Sequence, residues 1–112
     1  MGESLIDNAS EKPFGNLQAA AFLAKCLSDE NRLKILLCVG KGKKSVSAVV
    51  EELNLSQPLV SHHLKELRRS LLVKVERSGP FVYYESADER VMEIIGKLDT
   101  LAADLLSARN TF

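Results

Sequence analysis

From Leu17 to Leu27 the apolar residues Leu17, Ala20, Ala24 and Leu27 recur in steps of three, four and three, with Ala21, Phe22 and Leu23 alongside. That spacing puts side chains on one stripe of an α-helix, so the segment predicts a helix with a narrow apolar seam. Ser28 or Asp29 follows, and either side chain can accept from the free N–H groups that open a second helix. This second helix runs to about Val39 through Leu33, Ile35, Leu36, Leu37 and Cys38. It is apolar on most sides, which makes it the expected buried centre of the fold, with Gly40 and Gly42 as its stop. A short third helix spans about Ser47 to Leu53, with Val49, Val50 and Leu53 inward. Asn54 marks a sharp turn, because Asn tolerates the left-handed conformation nearly as well as Gly. Ser56 then caps a fourth helix from Gln57 to about Ser70, and Pro58 falls in its first turn, where no intrahelical bond is lost.

Beyond Ser70 the apolar period changes to two. Leu72 to Arg77 and Phe81 to Glu85 read as strands, and Ser78-Gly79-Pro80 between them reads as the turn of a hairpin. Ser86-Ala87-Asp88-Glu89 has the form of a capping box and launches a last helix, ending near Ala108. Along it Val91, Ile94, Leu98, Leu101 and Leu105 form a heptad seam that wants a partner helix. Residues 1–13, polar and aperiodic, are expected to be a flexible leader, and residues 14–112 a single domain. The predicted fold is mainly α with a small β-hairpin (α+β), in the order α-α-α-α-β-β-α. The short third helix, tight Asn turn and capped fourth helix read as a helix-turn-helix, and the hairpin as its wing.

A chain of 112 residues, nearly half of them apolar, supports one domain with a real core. So small a core covers little of its own surface, and dimerisation is a common remedy. No apolar run approaches the roughly 18 residues of a membrane span. The start of the chain lacks the basic and apolar stretches of a signal peptide, so a cytoplasmic location is expected. There Cys26 and Cys38 are reduced thiols. They are read either as two core thiols or as a dithiol sensor.

Charge narrows the function further. The net charge is zero, but residues 41–77 carry eight bases against four acids, so this stretch is +4 and the remainder −4. A basic middle with acidic ends suits a domain that meets phosphates with one surface. In the fourth helix Val60, Leu64, Leu67 and Leu71 share the inward face by spacing. The opposite side presents Gln57, Pro58, Ser61, His62, Lys65 and Arg69, while His63 lies beside the apolar stripe. Adjacent histidines on a helix point about 100° apart and cannot converge on one ion, so no metal site is expected there, and no cofactor. No nucleophile is placed beside an oriented base, which argues against an enzyme. A DNA surface uses every residue. Gln57, beside Pro58 at the helix start, can donate to and accept from an adenine edge. Ser61 and His62, one turn on, reach base edges or phosphates. Lys65, Arg68, Arg69 and, on the wing, Arg77 are expected phosphate contacts.

Three segments then match a known pattern. "LSDENRLKILL", "SVSAVVEELNLSQPLVSHHLKELRRSLLV" and "RSGPFVYYESAD" resemble, in order and spacing, the ArsR/SmtB family of winged-helix repressors. The resemblance covers about Leu23 to Ile95. It implies a homodimer held by the first and last helices, bound to a roughly palindromic double-stranded operator and, in many members, released by an inducer that is often a metal ion. The dimer residues it implies here are Leu17, Ala20 and Ala24 with Leu98, Leu101 and Leu105. The family often has Gly after the recognition helix, where this chain has Ser70-Leu71-Leu72. A Cys-x-Cys pair of some members is replaced by Val46-Ser47-Ala48-Val49, and the last helix carries Asp88, Glu89, Glu93, Asp99 and Asp104 but no His. Some relatives sense arsenite or oxidised sulfur with cysteine pairs placed differently from Cys26 and Cys38. The expected function is a sequence-specific DNA-binding homodimeric repressor released by an inducer that the sequence does not identify, a thiol-reactive compound being one candidate. The alternative is a winged-helix adaptor that binds proteins and not DNA.

Overall fold

The computed structural model describes residues 14–109, and the expected leader, 1–13, lies outside them. Its elements are α1 (Leu17–Cys26), α2 (Glu30–Gly40), α3 (Val46–Leu53), α4 (Gln57–Arg69), β1 (Val73–Ser78), β2 (Phe81–Ser86) and α5 (Arg90–Leu106). This is the expected order. No described helix is long and apolar enough to cross a membrane.

Side-chain caps fix most of the helix starts. Asn16 caps α1 by accepting from the Ala19 N–H at 3.2 Å, and Asp29, rather than Ser28, caps α2 by accepting from Arg32 N–H at 3.1 Å. Ser45 accepts from Ala48 N–H at 3.1 Å, which starts α3 one residue earlier than expected. Ser56 caps α4 through Leu59 N–H at 3.3 Å. Asn54 takes the left-handed conformation at φ 55°, and its N–H returns to the Val50 carbonyl at 2.8 Å, closing α3 before the chain turns into α4.

α2 is the centre of the core, with Ile35, Leu36, Cys38 and Val39 at most 1 % exposed. Around it pack α3, α4, β2 and the start of α5. From α4 come Val60, Leu64 and Leu67, from α3 Val49, from the wing Leu72 and Val73, and from α5 Val91 and Ile95. The strands pair antiparallel from Val73 opposite Ser86 to Ser78 opposite Phe81, leaving Gly79 and Pro80 as a two-residue turn. Gly79 supplies the positive φ (61°) that a tight hairpin turn of this length uses to match the strand twist. The backbone of Lys44 also pairs with Tyr84, at 2.9 and 2.8 Å, which ties the hairpin to the loop before α3.

Four local expectations are corrected. Leu71 continues the four-three-four spacing of α4 but is 80 % exposed, because α4 ends at Arg69 and the chain reverses at Leu71 with φ 65°. Gly40 does not stop α2 but is its last residue; a Cβ there would overlap the thioether of Met92 on α5, so the glycine permits a close helix approach. The capping box of α5 does not form. Ser86 is committed to the strand ladder and its hydroxyl donates to the Asp88 carbonyl at 3.0 Å, while Glu89, at the cap position, makes no side-chain bond. Asp88 does that work: it accepts from Arg90 N–H at 2.8 Å and grips the Arg90 guanidinium at 3.0 and 2.8 Å, which lowers its pKa to about 2. Finally, the heptad of α5 divides. Val91 is buried, whereas Ile94, Leu98, Leu101 and Leu105 are 47–62 % exposed, and Ile95 takes the inward place.

The left-handed Leu71 has a measurable consequence. A side chain at that φ costs on the order of 1 kcal/mol that glycine avoids. Leu71→Gly is therefore expected to raise stability by about 1 kcal/mol in urea unfolding, since the exposed leucine gives up no packing.

Candidate nucleic-acid interface

The inward stripe of α4 decides what its other face presents. Val60, Leu64 and Leu67 are held against α2 and α3, so Gln57, Pro58, His62, Lys65, Arg68 and Arg69 are exposed and Ser61 is half-buried. Gln57 and Ser61 are one turn apart and hydrogen-bonded, the amide Nε2 donating to the serine Oγ at 3.0 Å. This fixes the amide at the helix start, where its remaining donor and acceptor stay free for a base edge. His62 lies in solvent, while its neighbour His63 is 8 % exposed, with the two ring centroids 5.6 Å apart and tilted by 55°.

Ion pairs sort the basic residues. Lys41 reaches Glu52 at 2.6 Å, with Lys44 at 3.6 Å from the same carboxylate, and Lys43 reaches Glu76 at 2.8 Å. The Lys41 contact lowers the Glu52 pKa and raises that of Lys41. The lysines before α3 are thus largely balanced by carboxylates on α3 and β1. On α4, Arg69 pairs with Glu66 at 2.9 Å, an exposed contact of small net value that a phosphate can displace. Lys65, Arg68, Lys74 and Arg77 have no carboxylate partner among the described residues. The +4 of the middle stretch is therefore concentrated on α4 and the wing rather than spread over it. Lys74, exposed on β1, was not singled out from the sequence, where it looked like one more strand residue.

Elsewhere the expected residues fall in two places. Leu17, Ala20 and Ala24 are exposed on α1 and Leu98, Leu101 and Leu105 on α5, joined by Phe22 and Leu23, which are 55 and 40 % exposed. The two cysteines are both buried and unbonded to each other. Cys26 Sγ donates to Ser70 Oγ at 3.2 Å. Cys38 is 1 % exposed, and burial, with Glu52 beside it, raises its pKa, so it stays a protonated thiol of low reactivity at neutral pH. Among the described residues no three His, Cys, Asp or Glu side chains cluster as a metal site.

Comparison with known proteins agrees with this geometry. Residues 29–75, from the cap of α2 to the middle of β1, match the model of the bacterial regulatory protein, arsR family. An uncharacterised HTH-type transcriptional regulator of Methanocaldococcus jannaschii is 38 % identical over 85 residues, which span 75 % of this chain and 96 % of that protein. The HTH-type transcriptional repressor SmtB of Mycobacterium tuberculosis is 38 % identical over 86 residues, 77 % of this chain and 62 % of that protein. In fold, the chain superposes over its full length on 98 % of a homodimeric winged helix-turn-helix DNA-binding domain from Mycobacterium bovis, with a TM-score of 0.72 and 24 % identity. With a helix-turn-helix at α3–α4, a wing at β1–β2 and a near-complete match to a transcriptional regulator, this chain belongs to the arsR family of winged helix-turn-helix transcriptional regulators.

Proposed function

We propose that the protein acts in the cytoplasm as a homodimeric repressor that occupies a roughly palindromic operator. The observation that carries this reading is the face of α4. It joins a hydrogen-bonded glutamine at its start to Lys65 and Arg68, which have no carboxylate partner among the described residues, and it is continued onto the wing by Lys74 and Arg77. Gln57 reads a base edge, with Pro58 packed at the groove wall and Ser61 and His62 one turn deeper. Lys65, Arg68, Arg69 and Arg77 hold phosphates, which sets register and affinity without reading sequence.

The dimer follows from the other exposed face. Leu17, Ala20, Ala24, Phe22 and Leu23 of α1 and Ile94, Leu98, Leu101 and Leu105 of α5 leave apolar surface that a monomer in water has no use for. A two-fold partner covers it and presents two α4 helices to successive major grooves, about 34 Å apart. Seated there, the dimer excludes other proteins from the promoter, which is repression by occupancy.

Two single variants test the division of labour on one operator duplex and a set of its single-base changes. Gln57→Ala is expected to flatten discrimination at one base pair in each half-site, by about 1–3 kcal/mol. Lys65→Ala is expected to weaken every duplex by the same factor and to reduce the salt slope by about one per half-site. Equal effects of both variants on all duplexes would remove the base-reading role from Gln57, and no binding by the unaltered protein would favour the adaptor reading.

A further inference from the structure

A polar cluster away from the DNA face lies where α1, α2 and α4 meet. Cys26 ends α1, Asp29 caps α2 and Arg32 stands in its first turn, while His63 lies on α4 and Ser70 caps its end. Arg32 is the hub. Its Nε donates to His63 Nδ1 at 3.4 Å, and its Nη1 donates to the Cys26 carbonyl at 3.3 Å. On the other side of the imidazole, Nε2 lies 3.6 Å from Asp29 Oδ2. Two helical turns further along α4, Cys26 Sγ donates to Ser70 Oγ, which in turn donates to the Glu66 carbonyl at 3.0 Å. The recognition helix is thus fastened to the α1–α2 corner at two points on one flank, and α1 is a helix of the proposed dimer.

The protonation state of one fastening is dictated by its partner. A guanidinium in a protein has donors only and keeps its proton. The ring nitrogen facing Arg32 must therefore carry a lone pair, and the ring proton sits on the nitrogen facing Asp29. A second proton has only the Arg32 side to bind. It would abolish the acceptor and place an imidazolium against a guanidinium. Burial itself lowers the His63 pKa; Asp29 opposes this, while Arg32 and the neighbouring His62 add to it. The stability held by neutral His63 is complete above the unfolded value of about 6.5 and is lost as pH falls through the folded value.

We propose that Arg32 and His63 are a positioning pair for the recognition helix: the neutral imidazole ties α4 to the α1–α2 corner, and proton uptake by His63 releases the tie and weakens operator binding. The inference rests on the operator reading above, because both half-sites are engaged only when each α4 keeps its angle to its own dimer helix. His62, exposed on the proposed DNA face, lies outside this tie and is common to both proteins of the test below.

The test is operator affinity from pH 7.5 to 5.5 at fixed ionic strength for the full chain and for His63→Asn, with circular dichroism at each pH to confirm folding. The Asn carbonyl stands in for the Nδ1 acceptor and does not titrate. Between pH 7.5 and 5.5 the unaltered protein is expected to lose about tenfold more affinity than His63→Asn, the factor carried by one pH unit of coupling. Equal pH slopes in the two proteins would overturn the pair's role while leaving DNA binding at pH 7.5 intact. Absence of binding at pH 7.5 would overturn the operator reading and the proposal with it. If His63→Asn does not fold, NMR titration of the unaltered protein decides. The Arg32 Nε–H signal is expected to shift with the His63 ring at one midpoint below 6.5, and an Arg32 signal that ignores the ring would overturn the tie.

Discussion

A Leu98→Glu, Leu101→Glu double variant is expected to be folded and monomeric, and to bind operator DNA on the order of 10² more weakly than the unaltered protein. The two leucines are 47 and 52 % exposed on the face of α5 that turns away from the core. Val91 and Ile95 hold α5 to the rest of the domain, so charges at 98 and 101 leave the monomer's packing untouched. In the dimer the same carboxylates would be pressed into an apolar seam without partners, at a cost of several kcal/mol. A lone subunit keeps one half-site and loses the gain of the second, tethered one, which is worth about 10²–10⁴ in affinity. Sedimentation equilibrium reads the mass and fluorescence anisotropy the affinity. A dimeric double variant, or a monomer with undiminished binding, would show that the exposed seam is not the dimer contact.

The second large effect is on stability. Leu64 is wholly buried in the middle of the α4 stripe and packs with the core of α2 and α3. Leu64→Ala is expected to cost about 3 kcal/mol, from lost transfer energy and the cavity left behind. That is a large part of the 5–15 kcal/mol that holds a typical domain together. Urea unfolding should show a lower midpoint at unchanged slope. Lys65→Ala, one residue along but exposed, is expected to move stability by no more than about 0.5 kcal/mol. The same helix thus carries the fold on one side and the proposed DNA contacts on the other, and neighbouring substitutions separate the two.

Element types were legible in the sequence because periods of three to four and of two are imposed by backbone geometry. The exposed face of α4 was legible for the same reason, by subtraction from its apolar stripe. What was not legible depends on contacts between distant segments. Spacing alone assigned Leu71 inward, since nothing local shows that the helix stops two residues earlier. The Gly40 contact needs Met92, 52 positions away, and the Lys44–Tyr84 backbone pair needs the wing to fold back on the loop before α3. The charge excess could be counted, but its focus could not. Only the folded chain shows Glu52 and Glu76 holding Lys41 and Lys43, which leaves Lys65, Arg68, Lys74 and Arg77 as the cations of residues 41–77 without a carboxylate partner among the described residues. His63 was placed correctly beside the core by helical geometry, yet its partner Arg32, on α2, could be found only in three dimensions.

Whether the α4 and wing cations of a dimer hold duplex phosphates is read most directly from the salt dependence of affinity. Fluorescence anisotropy with duplex DNA from upstream of the gene, between 50 and 200 mM salt, gives the slope of log K against log salt. Four cations per subunit, Lys65, Arg68, Arg69 and Arg77, make about eight phosphate contacts in the dimer and an expected slope of about −7. A slope near zero, or no measurable binding at the lowest salt, would contradict it.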